Sequence, residues 1–372
     1  MTPEPVPLAP SSSSGAPPQP LATRDAGSGS CSGPGTRRAR VRRVLRRASR
    51  PEPWRRAPLL TASALLLGPV MLLHGWIPNR TGNLGSLVET FLPWFGLCVP
   101  VLLAGALWRR SAAATAALLL PVAVWLHLFG GLLADRSGGA GDLTVATHNV
   151  GAGNPDPADT ARDLAASGAD VLGLEEVTPE DRATYEEELA GTYPYHAVLG
   201  TVGVWSRLPL SQTRPVDIAT DVGPLADTRP AGATAAENRA LRTTVATGDG
   251  PLAVYVVHLG SARVNPRAGF RTDTRDRNAR ALGEALAAER NGRVVLLGDL
   301  NGTLDDRAFA GLAARLDSAQ ETAGAGFGFT WPAGFPVARI DHVLVRGVRA
   351  ESAWVLPATG SDHLPVAAGI SW

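Results

Sequence analysis

Six short motifs in the second half of the sequence set acids, amides and imidazoles at the ends of apolar runs. They are Asn149 in THNVGAGN, Glu175 and Glu176 in LGLEEVTPE, His258 in YVVHLGS, Asp299 and Asn301 in LLGDLNG, Asp341 with His342 in RIDHVLV, and Asp362 with His363 in TGSDHLPV. One acid at a strand end is ordinarily a cap or a solvated turn, and a lone histidine is usually a satisfied polar residue. Repeated delivery of such groups by burial-grade apolar runs is not what core packing selects. Carboxylate and amide oxygens without thiolates suit a hard ion, Mg²⁺ or Mn²⁺, which keeps several waters and is completed by phosphate oxygens. Histidines among acids add proton transfer near neutral pH, and an acid bonded to an imidazole raises its basicity. That equipment fits metal-assisted hydrolysis of a phosphate ester. The sequence has no G-x-S-x-G elbow, no G-x-x-x-x-G-K-[ST] loop, no H-E-x-x-H pair and no C-x-x-C. A serine hydrolase, a nucleotide-triphosphate loop and a zinc site of the usual spacings are therefore disfavoured.

The elements that must position these groups are legible from periodicity. In RVVLLGDLNG the run Val294 to Leu297 reads as a strand covered on both faces, and Asp299 and Asn301, two apart, share one face if the strand persists. Residues 142–372 alternate brief strand-like runs with helical stretches, the helices falling near 157–168, 180–191, 276–290 and 305–315. This pattern predicts one α/β domain with two packed sheets or one very large one.

In order and approximate spacing, HNV, LGLEEV, VVHLGS, LLGDLNG, RIDHVLV and SDHLPV resemble the endonuclease/exonuclease/phosphatase superfamily, which includes pancreatic deoxyribonuclease, apurinic endonucleases, neutral sphingomyelinases and inositol polyphosphate phosphatases. The resemblance covers residues 142–372 and implies a four-layered α/β sandwich of two mixed sheets flanked by helices. It implies Glu176 as ligand of the divalent ion, with Asn149 beside it holding metal or phosphate, and Asp362 as an acid close to the metal. Asp299 would orient or deprotonate the attacking water, with Asn301 positioning it. His363 would face the scissile phosphate, oriented by Asp341, and His258 would stabilise the phosphate or protonate the leaving oxygen. The family commonly has Gln where this chain has Glu175; the extra anion would shift metal affinity or, by strand alternation, point to the opposite face.

The first part of the chain is of another kind. Residues 1–141 carry 15 arginines against 5 acids and residues 142–372 carry 20 against 29, so the two parts face different surroundings. All 35 basic residues are Arg, a compositional bias from which no mechanism follows, and the two cysteines, Cys31 and Cys98, make no disulfide framework. Residues 1–56 read as a tail, Pro/Ser/Gly-rich and disordered to about residue 36, then basic, with ten arginines from Arg37 to Arg56. Residues 57–134 hold three apolar segments, 57–77, 85–107 and 112–133, each of the roughly 20 residues needed to cross a bilayer. The expectation is three transmembrane helices. The arginine asymmetry places the N-terminus in the cytoplasm and everything after the linker 135–141 outside the cell membrane. Glu89, His74 and His127 lie within or at the edge of these segments, and the reading favoured for them is interfacial placement without a functional role.

For substrate, SARVNPRAGFRTDTRDRNAR offers six arginines from Arg263 to Arg280, including Arg277; with Arg242 these are candidate phosphate clamps, against the alternative of a solvated face paired with Asp273 and Asp276. The sequence thus predicts a membrane-anchored, divalent-metal-dependent phosphodiesterase with nucleic acid slightly ahead of phospholipid, sphingomyelin or inositol phosphate. The reading from another class is a non-catalytic surface binding module on the same fold.

Overall fold

Strand alternation alone builds two layers of side chains on each sheet, and here both are apolar. The computed structural model describes residues 56–80, 82–218 and 238–372. The expected disordered tail, and the basic segment apart from Arg56, lie outside the described residues. The first sheet runs β13 (Arg349–Val355), β14 (Val366–Ser371), β1 (Leu143–Asn149), β2 (Val171–Glu175), β4 (Val202–Ser206), β3 (Tyr195–Leu199). The second runs β11 (Asp317–Ser318), β12 (Asp341–Arg346), β10 (Val294–Asp299), β7 (Gly250–His258), β6 (Ala240–Thr247), β5 (Leu210–Pro215). Each has one parallel pair, β1 with β2 and β10 with β7, inside antiparallel flanks.

Val145, Val171, Val254, Val256, Val295, Leu297, Val343 and Val345 pack between the sheets. The alternate residues of the second sheet, among them Tyr255, Val257, Val294 and Leu296, pack under the helix Asp273–Ala287. Those of the first sheet, Leu172 and Leu174 included, meet the helices Pro157–Ala166 and Arg182–Ala190. The expected four layers, helix, sheet, sheet, helix, are therefore present. The helix expected over 305–315 is only a 3₁₀ turn, Arg307–Phe309, followed by Ala310–Ala313.

The apolar N-terminal region departs from three uniform spans. Ala112–Leu133 is one helical run of 22 residues, long and apolar enough to cross a bilayer. The second segment breaks at Phe91, and its parts Leu84–Thr90 and Leu92–Trp108 are bent by 72°; the 3₁₀ turn Leu92–Leu97 at the break contains Pro93, which cannot donate a helical hydrogen bond. The first segment keeps only the 15 residues Pro58–Leu72 as α-helix, about 22 Å at the α-helical rise and short of a ~30 Å core. Three full-length helices are thus not what the chain forms.

Glu89 is also more than an interfacial residue. It is fully buried and bonds the Arg307 guanidinium through Nη2 at 2.7 Å and Nε at 3.0 Å, with His74 Nδ1 at 3.4 Å. Around it Ser86 donates to Asp306 of the loop that follows β10, Asn83 to Thr272 at the start of the helix Asp273–Ala287 and the Trp94 indole to the Val337 carbonyl ahead of β12, so the bent segment is fastened to three parts of the catalytic domain. Removing one partner of a buried pair leaves the other charge uncompensated. Arg307→Ala is expected to cost about 3–5 kcal/mol of stability, and Glu89→Gln in the same chain to recover much of it. Thermal denaturation of the full chain in detergent checks this; equal melting of the single and double variants would refute it.

Candidate active site

Register and parity assemble the site. Asp299 is directly opposite His258 on β7 and Asp341 on β12, so these three side chains form one row across the second sheet. Asn149 is opposite Glu175, forming a facing row on the first. Each continues the inter-sheet parity of its strand, after Leu297, Val256, Val343, Val145 and Val171. The polar groups therefore replace the valines at one end of the same core layer. Gly298 lets Asp299 reach this end: its φ is +145°, and a Cβ there would lie 1.9 Å from the Val257 carbonyl oxygen.

The end groups are tied together closely. Asn149 Nδ2 donates to Asp299 Oδ2 at 3.0 Å, Asn301 donates to Asp299 through its backbone N–H at 2.7 Å and its side chain at 3.0 Å, and Asp341 holds His363 Nδ1 at 2.9 Å. Ser361 accepts the His363 N–H and donates to the Asn149 carbonyl, joining the TGSDH loop to β1. His363 Nε2 faces Asp299 Oδ2 at 4.0 Å, and His258 Nε2 lies 3.6 Å from the same oxygen and 3.4 Å from Glu176 Oε1. Glu176 follows the last β2 residue with φ +61°, a left-handed conformation uncommon for non-glycine residues. That twist keeps Glu176 beside His258, where strict alternation would have turned it to the helix side. Asn301, at φ +52°, shows the same device.

Burial and neighbouring charge set the protonation states. Burial and the Asp341 carboxylate push Asp299 up to about 7, against the pull of His363 and the hydrogen bonds from Asn301 and Asn149. Burial alone would depress His363, but Asp341, by charge and hydrogen bond, and then Asp299 and Asp362 push it up to about 10. Burial and the cationic Arg239 and His363 hold His258 well below the usual imidazole range. Neutral His258 then accepts the 2.6 Å hydrogen bond from Arg239 Nη2 at Nε2, which puts its proton on Nδ1.

Of the residues singled out in the sequence, Asn149, Glu176, His258, Asp299, Asn301, Asp341 and His363 converge. Asp362 stands apart: it is exposed, accepts from the Trp331 indole at 3.1 Å and is not in the buried group Asp299, Asp341, His363 whose donor atoms lie within 4.8 Å of one another. His342 turns to the helix side and bonds the Gly302 carbonyl, as parity dictates. Arg242 is no substrate clamp. It is buried on the outer face of β6 and paired with Glu289 at 2.9 Å. Within the arginine-rich stretch, Arg271 pairs with Asp273 at 3.0 Å, and Arg275 is wholly buried against Asp306 at 2.5 Å with Phe309 beneath it. Arg263 lies exposed on a hairpin of β8 (Arg263–Asn265) and β9 (Gly269–Arg271), and its charge adds to the burial that lowers the pKa of Arg239. Arg277 is exposed on the helix Asp273–Ala287 and donates to Thr274.

Arg239 itself was missed by sequence reasoning. The signal was parity: in ENRALRTTVAT, Leu241 and Val245 face the inter-sheet core, so Arg239 shares their face and Arg242 does not. Glu175 also faces the site rather than the helices. Its carboxyl is fully buried, takes a 2.7 Å hydrogen bond from Thr147 at Oε1 and leaves Oε2 without a partner among the described residues.

The donor set fits a hard divalent ion. Glu176 Oε2 accepts the Ala152 N–H while Oε1 remains at the partly exposed rim, and the surrounding acids are oxygen donors in excess of local cations. Glu176 and Asn149 would hold such an ion next to Asp299, where it would supply Lewis-acid stabilisation of phosphate charge.

The chain matches the model of the Endonuclease/Exonuclease/phosphatase family over residues 146–363 and belongs to that family, whose members are phosphoesterase hydrolases dependent on divalent metal. Among solved structures it is similar to the mannosyl-6-phosphatase of Bacteroides thetaiotaomicron (18% identity, 62% of this chain and 100% of that chain, TM-score 0.49). It is also similar to D. rerio TDP2 complexed with a single-strand DNA product (19%, 61% and 98%, 0.48) and to sphingomyelinase C of Streptomyces griseocarneus (22%, 61% and 98%, 0.43). No curated protein matches the sequence.

Burial and then the nearby Asp341 and Asp299, opposed by the Thr147 hydrogen bond, raise Glu175 well above 4.5. The folded chain therefore binds more protons than the unfolded one above that pH, and stability falls as pH rises through the interval. Glu175→Gln lacks this liability. Its melting advantage over wild type, measured in chelator, is expected to grow from about pH 5 to about pH 8; a pH-independent difference would contradict the burial of a protonated acid.

Proposed function

We propose that this protein is a divalent-metal-dependent phosphodiesterase held at the outer face of the cell membrane by its apolar N-terminal region. The observation that carries the reading is the convergence of Glu176, Asn149, His258, Asp299, Asn301, Asp341 and His363 at one end of the sandwich. Asp299, with a pKa near neutrality, takes the proton of the attacking water, and the Asn301 amide orients that water. His363, kept cationic by Asp341, neutralises charge on the phosphate, and the Arg239 guanidinium, oriented by its hydrogen bond to neutral His258, does so from the other side.

The substrate is a phosphate ester presented at a membrane surface. Internal pairing of Arg271 and Arg275 leaves the arginine-rich stretch with less charge to follow a polyanion than its sequence promises, and that of Arg242 with Glu289 removes a further candidate. Nucleic acid, which the sequence put slightly ahead, becomes the second reading here, favoured by Arg263 on its hairpin.

The full chain in detergent is expected to hydrolyse at least one of sphingomyelin, inositol phosphates, plasmid DNA or RNA with Mg²⁺ or Mn²⁺, and to stop on chelation. Asp299→Ala and His363→Ala are each expected to lower kcat/KM by roughly 10²-fold or more with melting retained. Wild type and Asp299→Ala equally inert on every substrate would favour the binding module instead. For topology, protease added to intact cells is expected to digest the catalytic domain, and digestion only after lysis would reverse the orientation.

A further inference from the structure

Two adjoining cavities lie where the apolar helices meet the catalytic domain, and their polarity changes in a definite order. The first, of about 490 Å³, is lined by Trp94, Leu97, Val99 and Pro100 of the bent segment, Val122, Trp125 and Leu126 of the 22-residue helix, and Phe327 and Phe329. Its two indoles have their polar atoms occupied elsewhere: Trp94 Nε1 donates to the Val337 carbonyl at 2.7 Å, Trp125 Nε1 to the Pro93 carbonyl at 2.8 Å. What remains is aromatic and aliphatic surface, suited to hydrocarbon and to nothing polar. Its volume is in the range of ligand pockets.

The second cavity, of about 300 Å³, shares Pro93, Phe327 and Phe329 with the first and is lined besides by His127, Arg136, Asp305, Glu321 and Arg339. Arg339 is only 9% exposed, and its Nε finds no acceptor among the described residues. Such a donor is costly to bury without a partner. Its Nη2 pairs with the Glu321 carboxylate, and Arg136 Nη1 donates to the Glu321 main-chain carbonyl at 2.9 Å, so both guanidinium groups reach the same residue of a cavity wall that also carries Asp305.

Along Ala112–Leu133 the apolar cavity spans Val122–Leu126 and the polar one begins at His127 and ends beyond the helix at Arg136. Hydrocarbon below and guanidinium at the helix end is the polarity profile of one bilayer leaflet. The exposed large apolar residues of this region, among them Leu97, Val101, Leu107, Leu119 and Leu120, give the same surroundings.

We infer that this seam is a binding site for one membrane phospholipid. Its acyl chain lies between Trp94, Trp125 and Phe329, and its phosphate sits on Arg339 Nε and Arg136. The site rests on the reading of Ala112–Leu133 as a bilayer span and is independent of the phosphoesterase reading. It lies behind the reaction centre: Arg339 is two residues before Asp341, and Asp305 follows Asn301 by four. A lipid here would brace both catalytic loops from the membrane side.

Native mass spectrometry of the full chain, released from vesicles of phosphatidylethanolamine and phosphatidylglycerol, tests the site. One retained phospholipid per chain is expected, displaced by neither short-chain phosphate nor an alkyl glycoside of matching length. Leu126→Trp, which fills the apolar cavity, and Arg339→Gln, which removes the charge from the other, are each expected to lower retention about tenfold, the worth of one charge-assisted hydrogen bond or a few buried carbons. Leu119→Trp, on the exposed side of the same helix, is the control for an altered surface and is expected to retain the lipid. Val99→Trp fills the same cavity from the bent segment should Leu126→Trp fail to fold. Equal retention by the cavity-filling variants and the control, a non-saturating number of lipids, or equal binding of the glycoside would each overturn the assignment.

Discussion

The interaction on which the rest of this structure depends is the mutual repulsion of acids at the open end of the sandwich. Glu175 on the first sheet faces Asp299 and Asp341, side by side on the second, all three buried, with Glu176 at the rim. Buried carboxylates are tolerated only with hydrogen bonds, partners or protons. Each of these remedies is present. Asn149 and Asn301 donate to Asp299, His363 shares its proton with Asp341, and Glu175 keeps its own. A fold that concentrates this much negative potential in an apolar frame is poised for a cation and for the proton exchange of a hydrolytic reaction.

The frame makes that concentration possible because it does not relax. Val294–Leu297 is covered on both faces, and β10 is hydrogen-bonded on both edges, to β7 and to β12. Asp299 therefore cannot withdraw from Asp341 without breaking the ladder that pairs them. Of the left-handed non-glycine residues among those described, Glu176 and Asn301 lie in the site.

From Asp299 the chain passes in eight residues to Arg307, which closes on Glu89 of the apolar region. The same short loop thus touches the reaction centre at one end and the N-terminal helices at the other. Thr303 and Asp306 add hydrogen bonds to Glu89 and Ser86 on the way. Far from being a passive tether, the apolar region forms one wall of the structure behind the catalytic loops.

What the sequence by itself determined was the set of groups and the face each would occupy. Strand parity fixes which groups share a face, setting Asp299 with Leu297, His258 with Val256 and Asp341 with Val343, and the resemblance in six motifs named the family; which of the two apolar faces meets the other sheet, and that Glu175 lies on it, only the packing decided. Parity read along β6 would also have preferred Arg239 to Arg242. Tertiary structure alone decided the rest: that Glu176 twists back into the site, that Glu89 finds Arg307, 218 residues away, that Asp362 is drawn to Trp331, and that the second apolar segment bends. Periodicity is a local property, set by which side of a strand meets solvent, whereas an ion pair or a hydrogen bond across the seam exists only once distant segments have closed on one another and burial has made an unpaired charge too costly to keep.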